Sequence, residues 1–366
     1  MTLIASAPGK LVLLGEYAVL EGAPALVAAV ARRARVRIGH GAGDLLEVHA
    51  PELGVARARA RSDRAGHLAW LPEAVGAERL QLVEAVWQAL AHGGLTPPHQ
   101  GLRIDLDTSG FFDAAGRGKL GLGSSAALCV ALASALAAAA GQAQALDDRA
   151  AWRRRLVDLH GAWQGGQGSG LDVAASLQGG LVLYRREGAS ADSCAWPPAG
   201  ASCLFIWSGQ SVSTRGFLQR LATWRRAQPA AYAARMGELG SISEAACGAL
   251  QGKPGAFVSL VDAYAQALRA LARDSGLEIY SPAQQRAAVW AAREGAAYKP
   301  CGAGGDFGVV VADTPARLER VRRSMIDDGL QPVALAVDPH GLQFEGSFTQ
   351  SGPPPIDAAD RGRGPT

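Results

Sequence analysis

Apolar residues recur at two periods along this chain of 366 residues, and the alternation between them sets out the elements. Leu11 to Leu14 and Leu26 to Val30 are short apolar runs, and Arg33 to Ile38 alternates with Ala34, Val36 and Ile38 on one face. These predict the strands of an opening sheet. Leu80, Val83, Val86, Trp87 and Leu90 fall at helical spacing, Leu102 to Leu106 alternates as a strand, and Asp107 to Gly118 is a polar, glycine-containing loop. Ser124 to Ala140 predicts a helix that the two serines would cap. Ala151 to Trp163 predicts another helix, and Leu181 to Tyr184 a strand after a Gly-Gly pair.

Composition shifts to small, polar and proline residues at Glu187 to Ala201, which marks a junction. Beyond it the pattern predicts a strand at Leu204 to Trp207. Helices follow around Thr214 to Ala227, Ala230 to Leu250, Ala256 to Arg273 and Pro282 to Glu294. A near-continuous apolar strand at Phe307 to Val311, a helix at Thr314 to Gly329 and a strand at Gln331 to Val337 complete the pattern. Length favours about two domains, and the expected division is 1–190 and 191–350, with 351–366 a disordered tail. No internal repeat is visible.

An apolar share of 48% against 19% charged residues is a soluble globular balance, and the net charge is only +3. No arginine run is interleaved with aromatics, so nucleic acid is not expected as a partner. Cys129, Cys194, Cys203, Cys247 and Cys301 are odd in number and scattered, without zinc-site spacing, and read as free thiols in a reducing compartment. Met1 to Ala7 lacks a secretory pattern, and the apolar stretch Ala126 to Ala140 is short for a membrane span. A cytoplasmic protein with no membrane partner is the expectation. The sharpest compositional feature is lysine: of 36 basic residues only Lys10, Lys119, Lys253 and Lys299 are lysines. Three of these border glycine-rich segments, where backbone can wrap an anion.

Gly121-Leu122-Gly123-Ser124-Ser125-Ala126-Ala127 runs from a loop into an apolar helix. Free N–H groups at a helix start bind anions, and a serine hydroxyl offers Mg²⁺ one oxygen; a plain capped helix is the bland alternative. Lys10, in Pro8-Gly9-Lys10, is either an edge-strand charge or a cation aimed into a cleft. Gly302-Ala303-Gly304-Gly305-Asp306 is a tight turn before a buried strand, and Gly168-Ser169-Gly170-Leu171-Asp172 places an aspartate among small residues. His160 reads as a packed or surface histidine, Trp152 and Trp163 as core or cleft wall, and Lys253 as a surface residue.

These four segments occur in the order, and over the 4–312 span, at which together they resemble the GHMP family of small-molecule kinases. Details such as Gly15-Glu16-Tyr17-Ala18-Val19 and Gly168-Ser169-Gly170-Leu171-Asp172-Val173 are similar to its phosphomevalonate kinase branch, with mevalonate kinases next. The resemblance implies an α+β fold of two domains, an N-terminal ribosomal S5-like one and a C-terminal ferredoxin-like α/β sandwich. It implies ATP and Mg²⁺ as cofactors, a small-molecule phosphate or alcohol as acceptor, and a monomer or homodimer. Two departures stand out. Gly161 occupies the position of a magnesium-binding glutamate of mevalonate kinases, and only Gly304 and Gly305 precede Asp306, where three glycines are usual.

By the same resemblance Lys10 and Asp172 are the catalytic candidates. Lys119, Gly121, Leu122, Gly123, Ser124, Ser125 and Ala126 are implied to hold ATP, with Ser125 (or Ser124) approaching Mg²⁺. Lys10, Glu16, Tyr17, Ser169, Asp172, Ser213, Thr214, Arg215, Gly302, Ala303 and Gly304 are implied to face the acceptor, with Arg185 and Arg186 as further candidates to grip a phosphate.

Overall fold

The computed structural model describes residues 2–348 apart from 42, 64, 96–100, 114–115, 117, 167 and 211–213, and leaves the side chains of 214 and 215 undescribed. Ser213 and the expected disordered tail therefore lie outside the described residues. In chain order the first part holds β1 (Leu3–Leu14), β2 (Ala25–His40), β3 (Leu46–Ala50), β4 (Val55–Ser62), β5 (Leu68–Trp70), α1 (Gln81–His92), β6 (Leu102–Asp107), α2 (Ser124–Ala139), α3 (Arg149–Trp163), α4 (Leu171–Gln178), β7 (Leu181–Arg185) and β8 (Ser190–Cys194). There follow β9 (Ser202–Trp207), α5 (Thr214–Ala227), α6 (Pro229–Gly248), α7 (Pro254–Ser275), α8 (Pro282–Arg293), β10 (Ala297–Pro300), β11 (Phe307–Ala312), α9 (Pro315–Asp327), β12 (Gln331–Val333) and β13 (Gln343–Gly346). The architecture is α+β, as expected.

One sheet has the order β13-β1-β2-β6-β3-β4-β5, with β7 and β8 branching from β2. The two strands expected at Leu26 and Arg33 are one long strand. Its first part pairs with β7 and its second with β6, so β2 serves two neighbours in succession. A register shift between Pro8 and Gly9 accommodates the change of direction in the β1–β2 ribbon. Arg33 fastens the returning C-terminal segment there: its guanidinium meets Asp338 Oδ2 at 2.5 Å and donates to Ser6 O and Gly341 O. The second sheet is antiparallel, with the order β10-β11-β9-β12.

Helix α2 is built of alanine and leucine, strong helix formers, and is buried on nearly every side. It packs on β1 and β2 and is flanked by α1, α3 and α4. The serines at its start do not cap it. Gly123 holds the N-cap position at φ 77°, so Ser124 and Ser125 are the first helical residues. The period-2 signal of β4 was carried by alanines alternating with arginines, too weakly apolar to stand out, and the final expected strand stops at Val333.

The two sheets meet at the segment after β1. Lys299 of β10, fully buried, reaches Glu16 Oε1 at 2.5 Å. Tyr264 of α7 donates to Glu16 O at 2.6 Å, and Ser243 of α6 donates to Pro24 O at 2.5 Å. Burial raises the Glu16 carboxyl above its ordinary value, and the Lys299 ammonium opposes that rise. Removing one partner of a buried ion pair strands the other charge, so Lys299→Met should cost about 3–5 kcal/mol in urea unfolding, and Glu16→Gln/Lys299→Met should recover most of it. The pH dependence has a definite sign. Without Lys299 the folded carboxyl lies still higher than its ordinary 4.5, so folding takes up a proton and stability falls as pH rises through the raised value. The gap between Lys299→Met and wild type should narrow on acidification from neutral pH.

Candidate active site

The last residues of β1 bring Lys10 to a cleft of about 470 Å³, within the range of small-ligand sites. Its backbone is fixed by the loop opposite: Lys10 N donates to Leu122 O at 2.8 Å. That close approach needs Gly9, where a Cβ would lie 2.6 Å from Leu122 O. Gly123 serves the Lys10 side chain in the same way, because a Cβ there would sit 3.1 Å from Lys10 Cγ and 3.2 Å from Cε. The glycines of this loop thus let a lysine lie along a helix N-terminus.

Two helix starts converge on the cleft. Ser124 and Ser125 open α2, and Asp172 lies in the first turn of α4, where a negative charge complements the helix dipole. The approach to α4 is held by Tyr184, whose hydroxyl donates to Ser169 O at 2.8 Å. Between the helix starts stands His160, which is 1% exposed. Its Nε2 lies 3.3 Å from Ser125 Oγ and its Nδ1 3.9 Å from Asp172 Oδ2, while its ring stacks on Trp163. The sequence reads His160 as a packed or surface histidine, and the fold buries it.

The third glycine segment closes the other side. It is the β10–β11 turn, pinned where Cys301 N donates to Phe307 O at 2.8 Å. Tyr17, held at a positive φ of 63°, donates its hydroxyl to Ala303 O at 2.6 Å. Burial raises the Tyr17 phenol, as does the neighbouring Glu16 charge, so this hydroxyl remains a donor. Asp306 packs its carboxylate against Gly121, and Gly302 lies beside the Lys10 ammonium, with 3.9 Å from a would-be Cβ to Nζ. Burial pushes the Cys301 thiol up to about 12, so it is no thiolate nucleophile at neutral pH.

Most of the expected site residues are therefore gathered in one place. Lys10, Glu16, Tyr17, Lys119, Gly121, Gly123, Ser124, Ser125, Ser169, Asp172, Gly302 and Ala303 all line the cleft. The polar ends of Glu16 and Tyr17 are nevertheless engaged by Lys299 and Ala303. Leu122 and Ala126 are fully buried behind the loop, and Gly304 turns against the Ile279 backbone, so these three do not line it. Asp306, left out of the expected set, does. Arg185 forks onto Glu244 at 2.8 and 3.0 Å, and Arg186 donates to Leu20 O, so neither reaches the cleft. Thr214 and Arg215 open α5, whose Leu218 lines the cleft one turn on. Lys119 is exposed at the rim, and Lys253 is exposed at the start of α7. All five cysteines are free, and among the described residues no helix is long and apolar enough to cross a membrane.

Comparison with known proteins identifies the family and the fold. Residues 81–180 match the GHMP kinases N-terminal domain. The chain is 30% identical to the phosphomevalonate kinase of Streptomyces sp. (strain CL190), over 93% of this chain and 98% of that one. It is 27% identical to the mevalonate kinase of Aeropyrum pernix, over 93% and 98% of the two chains. The structure of Streptococcus pneumoniae phosphomevalonate kinase in complex with phosphomevalonate and AMPPNP shares the fold, with a TM-score of 0.70 at 19% identity over 91% and 99% of the two chains. The chain belongs to the GHMP kinase family.

Alanine at Gly121 and at Gly141 separates the cost of a positive φ (70° and 74°) from that of the collision, since a Cβ at Gly141 meets nothing within 4 Å, whereas one at Gly121 lands on the Asp306 carboxylate. Gly121→Ala should lose about 1–3 kcal/mol more stability than Gly141→Ala in denaturant titrations. Equal losses would mean that Asp306 does not press on the loop.

Proposed function

We propose that the chain is an ATP-dependent kinase that phosphorylates (R)-5-phosphomevalonate to the diphosphate. The observation that carries the proposal is the assembly of Lys10, Ser125 and Asp172 in one cleft of a chain 30% identical to a phosphomevalonate kinase along nearly its whole length. In this reading the amides of the Gly121–Ser125 loop and the start of α2 hold the ATP phosphates. Lys10 lies between the transferred phosphoryl group and the acceptor, and Asp172 orients Lys10 or the acceptor. Phosphoryl transfer of this kind relies on positioning and charge neutralisation.

The residues fit a cation that arrives with the nucleotide. The Ser125 hydroxyl and the Asp172 carboxylate share the cleft, while no group of three His, Cys, Asp or Glu among the described residues encloses a metal. Mg²⁺ takes few protein oxygens and keeps several waters. When bound it would neutralise phosphate charge; Ser125 is the residue that would hold it, with Asp172 across the cleft on the acceptor side.

A phosphate monoester acceptor suits this site physically. Its second pKa is about 6, so it is largely dianionic at neutral pH and needs no strong base. Its difficulty is repulsion between anions, which gives the Lys10 ammonium more weight than the Asp172 carboxylate. Mevalonate is the rival acceptor, favoured by the 27% identity to a mevalonate kinase. An ADP-release assay against phosphomevalonate, mevalonate and a sugar should show turnover with phosphomevalonate; turnover with mevalonate alone would overturn the choice of acceptor. Lys10→Met should lower kcat about 10²–10³-fold. A protein that only senses nucleotide would have no such rate to lose.

A further inference from the structure

His160 stands between the two groups assigned to opposite sides of the reaction. It lies on the last turn of α3, buried, with Trp163 stacked at 5.5 Å between ring centroids, which restricts the plane of the ring. One ring nitrogen faces a hydroxyl, Ser125 Oγ at 3.3 Å, and the other faces a carboxylate, Asp172 Oδ2 at 3.9 Å. The neighbouring Gly161 contributes no side chain.

A neutral imidazole has one donor nitrogen and one acceptor nitrogen, and the partner of the first decides which is which. The carboxylate favours the hydrogen on Nδ1. At 3.9 Å this is an electrostatic contact rather than a hydrogen bond, and it sets the tautomer without clamping the ring. Nε2 is then left as an acceptor directed at Ser125. A hydroxyl that offers a lone pair to a cation must point its hydrogen at something else. Nε2 lies where that hydrogen can go.

We propose that His160 is a positioning residue that accepts the hydrogen bond of the Ser125 hydroxyl and so turns the serine lone pairs toward the cation, with Asp172 holding the ring in the required tautomer. The proposal rests on the kinase reading above and deepens it. It couples the nucleotide side of the cleft to the acceptor side through one ring.

The test separates the two ring nitrogens. Asparagine keeps a polar atom near the Nδ1 position but is too short to reach Ser125; glutamine reaches toward the Nε2 position. Calorimetric binding of AMPPNP is measured with and without Mg²⁺ on wild type, His160→Asn, His160→Gln and Ser125→Ala, with kcat and KM for MgATP alongside. Wild type should bind AMPPNP at least about tenfold more tightly with Mg²⁺. His160→Asn should lose most of that metal-dependent gain while its metal-free affinity stays at the wild-type value, and His160→Gln should restore part of it. KM for MgATP should rise severalfold in His160→Asn, and adding Ser125→Ala should cost nothing further. A full metal-dependent gain in His160→Asn overturns the proposal, as does an equal loss of metal-free affinity, which is the signature of a merely structural role. No metal-dependent gain in wild type overturns the kinase reading together with this one.

Discussion

The buried pair of Glu16 and Lys299 is the constraint on which the cleft depends. Glu16 belongs to the turn that leaves β1, and Lys299 to the strand that leads into the third glycine turn. Their ion pair lies out of water, and Glu16 Oε2 has no hydrogen-bond partner among the described residues. Such a pair is costly to desolvate and gives little net stability relative to an apolar substitute. Its value here is positional. It sets the third glycine turn at the height where Tyr17 can bond Ala303, where Gly302 can approach Lys10, and where Asp306 can press on Gly121.

From that fixed point the site follows by close approach. Lys10 is bonded through its backbone to the Gly121–Ser125 loop and lies along Gly123, so the loop and the lysine are held against each other. Helices α2 and α4 pack on β1 and on each other, and the first turn of each lines the cleft. Two helix N-termini and a lysine then face one volume. An anion entering it meets positive potential from the start of α2 and from Lys10, while the Asp172 carboxylate offsets the start of α4.

Much of this was legible in the sequence. Lysine scarcity singled out Lys10, Lys119 and Lys299, and glycine spacing marked the three turns that the fold gathers. The buried helix α2 followed from an alanine and leucine run too uniform to be amphipathic. What escaped was the meaning of residues whose partners are distant in the chain. Lys299 read as a marker of its glycine turn because nothing local reveals a glutamate 283 positions away as its partner. His160 read as a packed or surface residue, and the two polar neighbours it meets, Ser125 and Asp172, come to it from two other helices. The serines of α2 read as caps because residue type favours that role, whereas Gly123 takes it at a φ that glycine alone adopts easily. Strand β4 was missed because its inward residues are alanines.

Phosphoryl transfer between the two ligands requires that both phosphates occupy this one cleft. Diffraction from crystals grown with AMPPNP, Mg²⁺ and phosphomevalonate tests that most directly. The predicted result is density for the nucleotide phosphates against the Gly121–Ser125 loop, with the acceptor phosphate beside Lys10 and Asp172. Nucleotide bound at another groove, or an acceptor phosphate remote from Lys10, would contradict it.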